Sequence, residues 1–258
     1  MTALPENGMA GCLDDSTRDA PTARSRAVLG DGAFGRLVDL HVAVFGVGGV
    51  GGWCAEALVR TGVRHLTLVD DDAVAATNIN RQRQATLRDI GKPKVEVLKD
   101  ILLEIAPDTE IEIICERYTP ESAGRFGRVF SGCDVIVDAI DSVDCKADLM
   151  LRSGVRGGGL PVVFSSMGAA LRMDPTKVRV APFHKVIGDG LAKALRGRFR
   201  KSQIPLPRNL CVYSEEIPEK SAASVKGSLM PVTCAFGMAL ASLVLRYVQP
   251  DCPGAAPA

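Results

Sequence analysis

The chain has 258 residues, of which 47% are hydrophobic and 24% are charged, and its formal net charge is +1. This is the composition of an ordinary globular protein that is long enough to bury a sizeable core. A net charge this close to zero excludes a strong field over the whole molecule, so a nucleic-acid site would have to be a local patch.

The N-terminal segment, residues 1–23, is rich in Ala, Asp, Thr, Pro and Gly without hydrophobic periodicity, and we expect a disordered tail there. It lacks the apolar run of a secretory signal peptide, and the eight cysteines of the chain include no Cys-x-x-Cys pair. We therefore expect a reduced, cytoplasmic protein without a cysteine zinc site. Arg24 and Arg26 follow this tail, and they could reach a nucleotide in this subunit or a neighbouring one, or could simply be solvated.

A glycine-rich loop follows the first predicted strand. Apolar residues 42–45 lead into Gly-x-Gly-Gly-x-Gly, and an amphipathic helix is predicted over residues 53–60. The glycines of the loop are Gly46, Gly48, Gly49 and Gly51. Such a loop can approach a phosphate closely, and the following helix N-terminus offers free N–H groups to it. A second predicted strand, residues 65–69, ends at Asp70, where an acid would meet a ribose hydroxyl.

The polar segment after Asp70 separates two classes of enzyme that share this beginning, dinucleotide dehydrogenases and ATP-using adenylating enzymes. A dehydrogenase would continue with another strand, turn and helix, whereas here Asn78 and Arg81 stand three residues apart in a polar segment. Amide and guanidinium groups suit a ribose and a polyphosphate. Lys94 then stands at the start of a helix predicted over residues 95–105, where a lysine opposes the helix dipole. This local cost suggests a bound anion, with a surface lysine as the alternative.

Two acids follow the next buried strand. A strand is predicted over residues 110–115, a glycine-broken helix over 119–130, and a strand over 133–141 that contains Asp138 and ends at Asp141. Carboxylates at the carboxyl ends of parallel strands face the ligand crevice, and two of them spaced three apart could share a Mg²⁺. A capping or loop role is the alternative.

The remaining chain is predicted to contain further strands and two helices of different character. We predict a helix over 146–153, a strand and its following loop over 160–168, and strands over 177–180 and 210–214. The apolar segment 232–248 is expected to be a core helix that closes the domain, not a membrane span. The amphipathic helix predicted over 191–201 carries five cations, which would bind a phosphate backbone or be solvated. These five are Lys193, Arg196, Arg198, Arg200 and Lys201.

The alternation of strands and helices predicts an α/β fold, a Rossmann-like and mostly parallel sheet with helices on both faces. A smaller C-terminal substrate-binding portion is expected beside it. We expect residues 24–170 to form the ATP-binding core and residues 171–258 the substrate-recognition portion of the same globular unit.

The polar motifs together resemble a known family. In order, the chain carries the glycine loop, Asp-x-Asp at 70–72, Asn-x-x-Arg-Gln at 78–82, Pro-Lys at 93–94 and Asp-x-x-Asp at 138–141. With this pattern, residues 24–248 resemble the ubiquitin-activating-type adenylating enzymes. The resemblance implies that the protein uses ATP and Mg²⁺ and forms a homodimer in which each subunit sends Arg24 into the other's site.

The same resemblance implies roles for individual residues. Asp70 would hold the ribose, with Gly48 and Gly49 near the phosphates and Asn78, Arg81 and Lys94 on the triphosphate, while Asp141 would organise Mg²⁺. The implied catalytic residues are Arg24, Arg81, Lys94 and Asp141. The implied nucleotide-binding residues are Gly46, Gly48, Gly49, Gly51, Asp70, Asp72, Asn78, Arg81, Gln82, Lys94 and Asp138.

The second half of the chain decides between branches of this family. Members that activate sulfur-carrier proteins typically hold zinc with two Cys-x-x-Cys pairs, which this chain lacks. Segments 165–169, 174–177 and 212–216 are instead similar to the tRNA-modifying members, although Gly188-Asp189-Gly190 departs from the more usual Asp-Pro pattern. This resemblance implies ATP-dependent dehydration and cyclisation of threonylcarbamoyladenosine in tRNA through an acyl-adenylate. Adenylation of the C-terminus of a ubiquitin-like sulfur carrier is the alternative.

Partners follow from the tRNA-modifying branch. The five cations on the helix predicted over 191–201 are expected to bind the tRNA backbone. The resemblance also suggests partners from a cysteine desulfurase sulfur-transfer system. We expect no insertion into a membrane, because the apolar segment 232–248 is too short.

Overall fold

The computed structural model describes residues 20–155, 157–218 and 227–249. Within these ranges seven strands form one sheet in the order β3-β2-β1-β4-β5-β7-β6. The strands are β1 His41–Phe45, β2 His65–Val69, β3 Glu110–Ile114, β4 Val135–Asp138, β5 Val162–Ser166, β6 Val178–Pro182 and β7 Leu210–Ser214. The mostly parallel α/β fold that the sequence predicts is therefore confirmed.

The α-helices of the described residues connect and cover these strands. They are α1 Ala23–Leu29, α2 Asp31–Val38, α3 Gly51–Thr61, α4 Lys94–Ile105, α5 Gly127–Gly132, α6 Val143–Leu151, α7 Gly190–Lys201 and α8 Met230–Tyr247. One predicted helix, 119–130, is shifted. Ser122 bonds the Thr119 backbone and holds a turn, so a 3-10 turn begins only at Ala123 and leads into α5.

Strand pairing brings the polar loops to one edge of the sheet. β1 lies between β2 and β4 and is parallel to both, with Phe45 opposite Val69 on one side and Asp138 on the other. The strand order reverses at this point, which is where open parallel sheets bind ligands beyond the strand carboxyl ends. The glycine loop follows β1 at this point, Asp70 follows β2 and Asp141 follows β4.

Both faces of the sheet are covered by apolar packing, as a parallel sheet requires. Along β1, Val42 and Val44 belong to the cluster shared with α3, α4 and α8. The alternating residues Ala43 and Phe45 belong to the cluster on the other face, where the Phe45 ring lies 5.2 Å from that of Tyr118. The strand's two-residue period therefore supplies both cores.

The C-terminal helix α8 closes the first of these cores, as predicted. Phe236, Leu240 and Val244 are buried in the cluster. Gly237 allows the close approach to α3, because a Cβ there would lie 2.6 Å from the Val50 carbonyl oxygen. By length and composition α8 is the one helix among the described residues that could cross a membrane, but its packing is that of a core helix.

The boundary of the predicted tail needs a correction. Residues 1–19 lie outside the described residues. Residues 20–22 form a 3-10 turn, α1 begins at Ala23, and Thr22 is buried, so the folded part of the chain starts before residue 24. At the other end β6 and β7 extend the same sheet, and the functional division at residue 170 stays a prediction.

Candidate functional site

The glycine loop owes its shape to two of its glycines. Gly46 has a φ of +85°, and a Cβ there would lie 2.9 Å from the Ala139 carbonyl oxygen. A Cβ on Gly51 would lie 1.9 Å from the Gly46 carbonyl oxygen, so only glycine lets α3 start this close to β1. The two middle glycines of the motif, Gly48 and Gly49, face the segment that contains Arg81 and Gln82. A Cβ on Gly48 would lie 3.7 Å from Gln82 Nε2, and one on Gly49 3.2 Å from Arg81 Cγ.

Asp70 ties the end of β2 to the glycine loop. Its Oδ2 accepts the backbone N–H of Val47 at 2.8 Å, and its Oδ1 accepts that of Asp72 at 2.9 Å. Burial raises the pKa of Asp70, and these two backbone donors together with Lys94 act against that rise. Each carboxylate oxygen keeps a second lone pair, so the side chain can still accept a ribose hydroxyl.

The segment with Asn78 and Arg81 is compact and fixed by its own hydrogen bonds. Asn78 Oδ1 accepts the Ala75 N–H at 3.0 Å, and Arg81 Nη1 donates to the Thr77 carbonyl at 2.8 Å. Asn78 ends a 3-10 turn and is buried. The aliphatic part of the Arg81 side chain lies beside Gly49 of the glycine loop, and the binding of a nucleotide by Asn78 and Arg81 stays a prediction.

Sequence reasoning missed the contacts that hold this segment on α3 and on the glycine loop. Trp53 Nε1 donates to the Arg81 carbonyl at 3.0 Å, Glu56 pairs with Arg83, and Gln84 Nε2 donates to the Val47 carbonyl at 2.7 Å. Their spacing carries no distinctive signal, because acids and amides on a predicted helix or loop are usually solvated. Their effect is to fix the backbone beside the glycine loop.

Lys94 occupies the first position of α4, as predicted, and it is buried. Its Nζ lies 2.5 Å from Asp72 Oδ2, and only 6% of its side chain is exposed. The Asp72 carboxylate offsets the cost of a cation at a helix N-terminus. The surface-lysine alternative is therefore wrong, but the anion that compensates Lys94 in this structure is Asp72 itself. Nucleotide binding by Lys94 and by Asp72 stays a prediction.

Asp138 does not face the crevice, which corrects the prediction that it binds nucleotide or shares Mg²⁺ with Asp141. Its Oδ2 lies 2.7 Å from Lys146 Nζ, and both side chains are fully buried. Burial raises the pKa of Asp138, and Lys146 opposes that rise. The pair instead fixes the loop after β4, because Asp138 Oδ1 also accepts the Ile140 N–H at 3.2 Å.

Asp141 is the acid that this loop presents to solvent. It is exposed and makes no hydrogen bond or ion pair with the described part of the chain. A free carboxylate at this edge suits a hard cation such as Mg²⁺. The carboxylates of Asp70, Asp71 and Asp72 also come within 4.8 Å of one another. Asp70 already binds backbone N–H groups and Asp72 binds Lys94, so Asp141 is the better donor.

The basic helix α7 does not present all five predicted cations. Arg196 is half-buried, donates to the carbonyls of Phe183 and Val186, and lies 5.3 Å from the Phe183 ring centre. It holds the turn before α7, which corrects its prediction as an RNA contact. Arg198 is exposed but pairs with Asp144 at 2.7 Å.

The other three predicted cations remain available. Lys193, Arg200 and Lys201 are exposed, and their side chains make no hydrogen bond or ion pair within the described ranges. Arg24 on α1 is likewise exposed and without such a partner among the described residues of this one protomer. The positive surface of the second half is therefore smaller than its sequence suggests.

Comparisons with known proteins agree with this fold. The model of the ThiF family matches residues 22–253. The tRNA threonylcarbamoyladenosine dehydratase of Bacillus subtilis is 38% identical over 196 residues, covering 76% of this chain and 75% of the relative. The Escherichia coli enzyme of the same name is 37% identical over 215 residues, covering 81% and 78%. The crystal structure of the E. coli tRNA N6-threonylcarbamoyladenosine dehydratase in complex with ATP superposes with a TM-score of 0.81 at 32% identity, covering 92% of this chain and 97% of that chain.

Proposed function

The chain belongs to the ThiF family, and on this premise we propose that it is an ATP-dependent enzyme that dehydrates threonylcarbamoyladenosine in tRNA to its cyclic form. The observation that carries the proposal is the crevice between β1 and β4. Beside it, Asp70 follows β2 and binds the glycine loop, and Lys94 pairs with Asp72 two residues further on, an arrangement that supports an adenylation site. The likeness to the ATP-bound E. coli structure along nearly the whole chain supports ATP as the nucleotide.

The residues of the crevice fit ATP. Gly46 and Gly51 keep the loop backbone in this shape, because a Cβ at either would collide with neighbouring backbone, and Gln82 Oε1 is buried without a hydrogen-bond partner in the described chain. Gly48, Gly49 and the N–H groups at the start of α3 would hold phosphate oxygens. Asp70 would accept the ribose hydroxyl, and Arg81 and Lys94 would neutralise the triphosphate.

The proposed chemistry has two steps. The threonyl carboxylate attacks the α-phosphorus of ATP, which forms an acyl-adenylate and releases pyrophosphate. The ureido group of the same nucleoside then attacks the activated carbonyl, which closes the ring and releases AMP. Positioning and charge neutralisation suffice for both steps, and no protein nucleophile is needed. Burial raises the pKa of the Cys211 thiol, which does not favour a nucleophilic cysteine there.

Asp141 is our candidate ligand for Mg²⁺, which would supply charge neutralisation at the phosphates when it is bound. We also propose that Arg24 completes the site of the partner subunit in a homodimer. Lys193, Arg200 and Lys201 are the proposed contacts to the tRNA backbone. A cytoplasmic location and contact with a sulfur-transfer system belong to the same proposal.

Mass spectrometry of tRNA nucleosides tests the proposal. After incubation with ATP, threonylcarbamoyladenosine should be replaced by a nucleoside that is lighter by one water molecule, with AMP and pyrophosphate formed in equal amounts. An Asp141→Asn protein serves as the inactive control. Unchanged tRNA, together with adenylation of a ubiquitin-like sulfur carrier, would instead support the alternative adenylyltransferase.

A further inference from the structure

The loop that follows β5, residues 167–173, lies beside the crevice on the side away from Asp70. β5 is parallel to β4, with Ser165 opposite Asp138, so this loop leaves the sheet at the same edge as Asp141. The proposed ribose site follows β2, on the other side of β1. If the nucleotide binds with its ribose at that site, the β4–β5 side of the crevice stays open. The group that attacks the α-phosphate would bind on this open side.

A buried ion pair holds this loop. The side chains of Arg172 and Asp189 are 3% and 0% exposed, and Arg172 Nη2 lies 3.0 Å from Asp189 Oδ2. The same oxygen accepts the Gly168 N–H at 3.1 Å, and Arg172 Nη1 donates to the carbonyls of Gly168 and Ala170. The backbone of the loop is therefore bonded to both members of one pair of charges.

The pair also joins the loop to the basic helix. Asp189 is the N-cap of α7, and its Oδ1 accepts the Ala192 N–H at 2.8 Å. Lys193, one of the three free cations of α7, lies in the first turn after this cap, and its N–H donates to the Asp189 carbonyl at 3.0 Å. A single aspartate thus connects the edge of the crevice with the proposed RNA-binding helix.

The loop is held in a shape that it would not adopt by itself. Leu171 has a φ of +61°, in the left-handed region that disfavours a non-glycine residue, and this conformation persists only where the surroundings impose it. Arg172 Nε is buried without a hydrogen-bond partner in the described chain, which is a further cost. Buried ion pairs are often no more stabilising than apolar replacements. The arrangement is therefore better explained by a need for this loop shape than by stability.

We propose that Arg172 and Asp189 are positioning residues for the modified nucleoside. They fix the conformation of residues 168–171, which form the surface against which the threonylcarbamoyl group is placed. They also fix the position of this surface relative to α7, the helix that is proposed to bind the RNA backbone. Neither residue contacts the reacting atoms. This role rests on the proposed function.

Asp189→Ser is the first test. Serine can still cap α7, but it is shorter and carries no charge, so it cannot form the ion pair with Arg172. With tRNA that carries threonylcarbamoyladenosine, we expect kcat/KM for tRNA to fall about tenfold or more. The KM for ATP should change less than about twofold, since the nucleotide side is untouched. The matched control is Asp174→Ser, since Asp174 also caps a turn, through Thr176, but is outside the buried pair. It should behave as the unchanged protein.

A second variant removes both buried charges, Arg172→Gln with Asp189→Ser, in case Asp189→Ser alone does not fold. It should show the same selective loss for tRNA. Unchanged kcat/KM for tRNA in a folded variant would overturn the proposal. So would a fall of kcat/KM for tRNA that is matched by a rise of the KM for ATP by the same factor. If the unchanged protein dehydrates no tRNA, the proposed function itself fails, and the two failures are thereby distinguished.

Discussion

The two halves of the sheet use their charged side chains differently. In the crevice half, which comprises β1–β4 and their loops, Asp70 and Lys94 lie where short motifs place them and bind groups of neighbouring loops. In the second half, which comprises β5–β7 and α7, Arg196 and Arg198 are already bound to partners of the same chain. A phosphate site is built largely from local backbone geometry, whereas a recognition surface consists of whatever charges tertiary packing leaves free.

The buried pairs sharpen this comparison, since each half contains one. Asp138–Lys146 fixes the loop of Asp141, and Arg172–Asp189 fixes the loop after β5. Both loops leave the same edge of the sheet. The crevice half thus also depends on a contact between separate elements, β4 and α6, although its motifs are local.

Lys146→Met should have the largest effect. It leaves the fully buried Asp138 without its partner, and such a change costs about 3–5 kcal/mol of unfolding free energy. Burial raises the pKa of Asp138 in the folded state, so the folded state binds the extra proton. In the variant, the stability contributed by Asp138 should therefore be greatest below its unfolded-state pKa and be lost as pH rises from there through its folded-state pKa. Urea unfolding at several pH values measures this.

The control for that prediction is Asp138→Asn combined with Lys146→Met, which removes both charges and should recover part of the lost stability. If the urea midpoint of the Lys146→Met protein is unchanged, the pair does not stabilise the crevice half.

Lys94→Ala and Asp141→Ala should each lower AMP formation by about a hundredfold or more, because each removes a charge positioned at the phosphates. Both variants should unfold at close to the original temperature if their effect is chemical. The measurement is AMP release at saturating ATP and tRNA. Near-normal turnover in either folded variant would contradict the assignment of the crevice.

Mixing Arg24→Ala with Asp141→Ala protein tests whether the crevice is completed by a second subunit. If Arg24 acts in the partner's site, each mixed dimer contains one competent site, and activity should return to at most half that of the unchanged protein. Native mass spectrometry confirms subunit exchange. Exchange without recovered activity would show that Arg24 acts within its own chain or not at all.

The smallest effect is expected on the surface of α7. Replacing Lys193, Arg200 and Lys201 by Gln should weaken tRNA binding and lower the slope of log K against log salt by about 0.7–0.9 for each phosphate that the variant no longer neutralises. ATP affinity should not change. Arg128→Gln on α5 is the control, because Arg128 is an exposed cation outside the second half. An unchanged salt slope would place the RNA elsewhere.

The sequence by itself determined the parts of this protein that depend on neighbours along the chain. Strand, turn and helix geometry follow from local residue order. The sequence therefore predicts the positions of the glycine loop, the acid after β2 and the lysine at the start of α4. The order of strands and helices likewise indicated the parallel sheet, with element bounds that differ from the observed ones by a few residues. The assignment of nucleotide-binding and catalytic roles to these residues stays a prediction.

Only the tertiary structure decided which charges are available. Asp138 and Asp141 are indistinguishable as Asp-x-x-Asp, yet one is buried against Lys146 and the other is exposed. Arg198 pairs with Asp144, 54 residues away, and Arg172 with Asp189, 17 residues away. A carboxylate lowers its free energy with any cation that the fold brings near, and sequence spacing does not encode those distances. The free and the bound charges therefore become distinguishable only when the chain is folded.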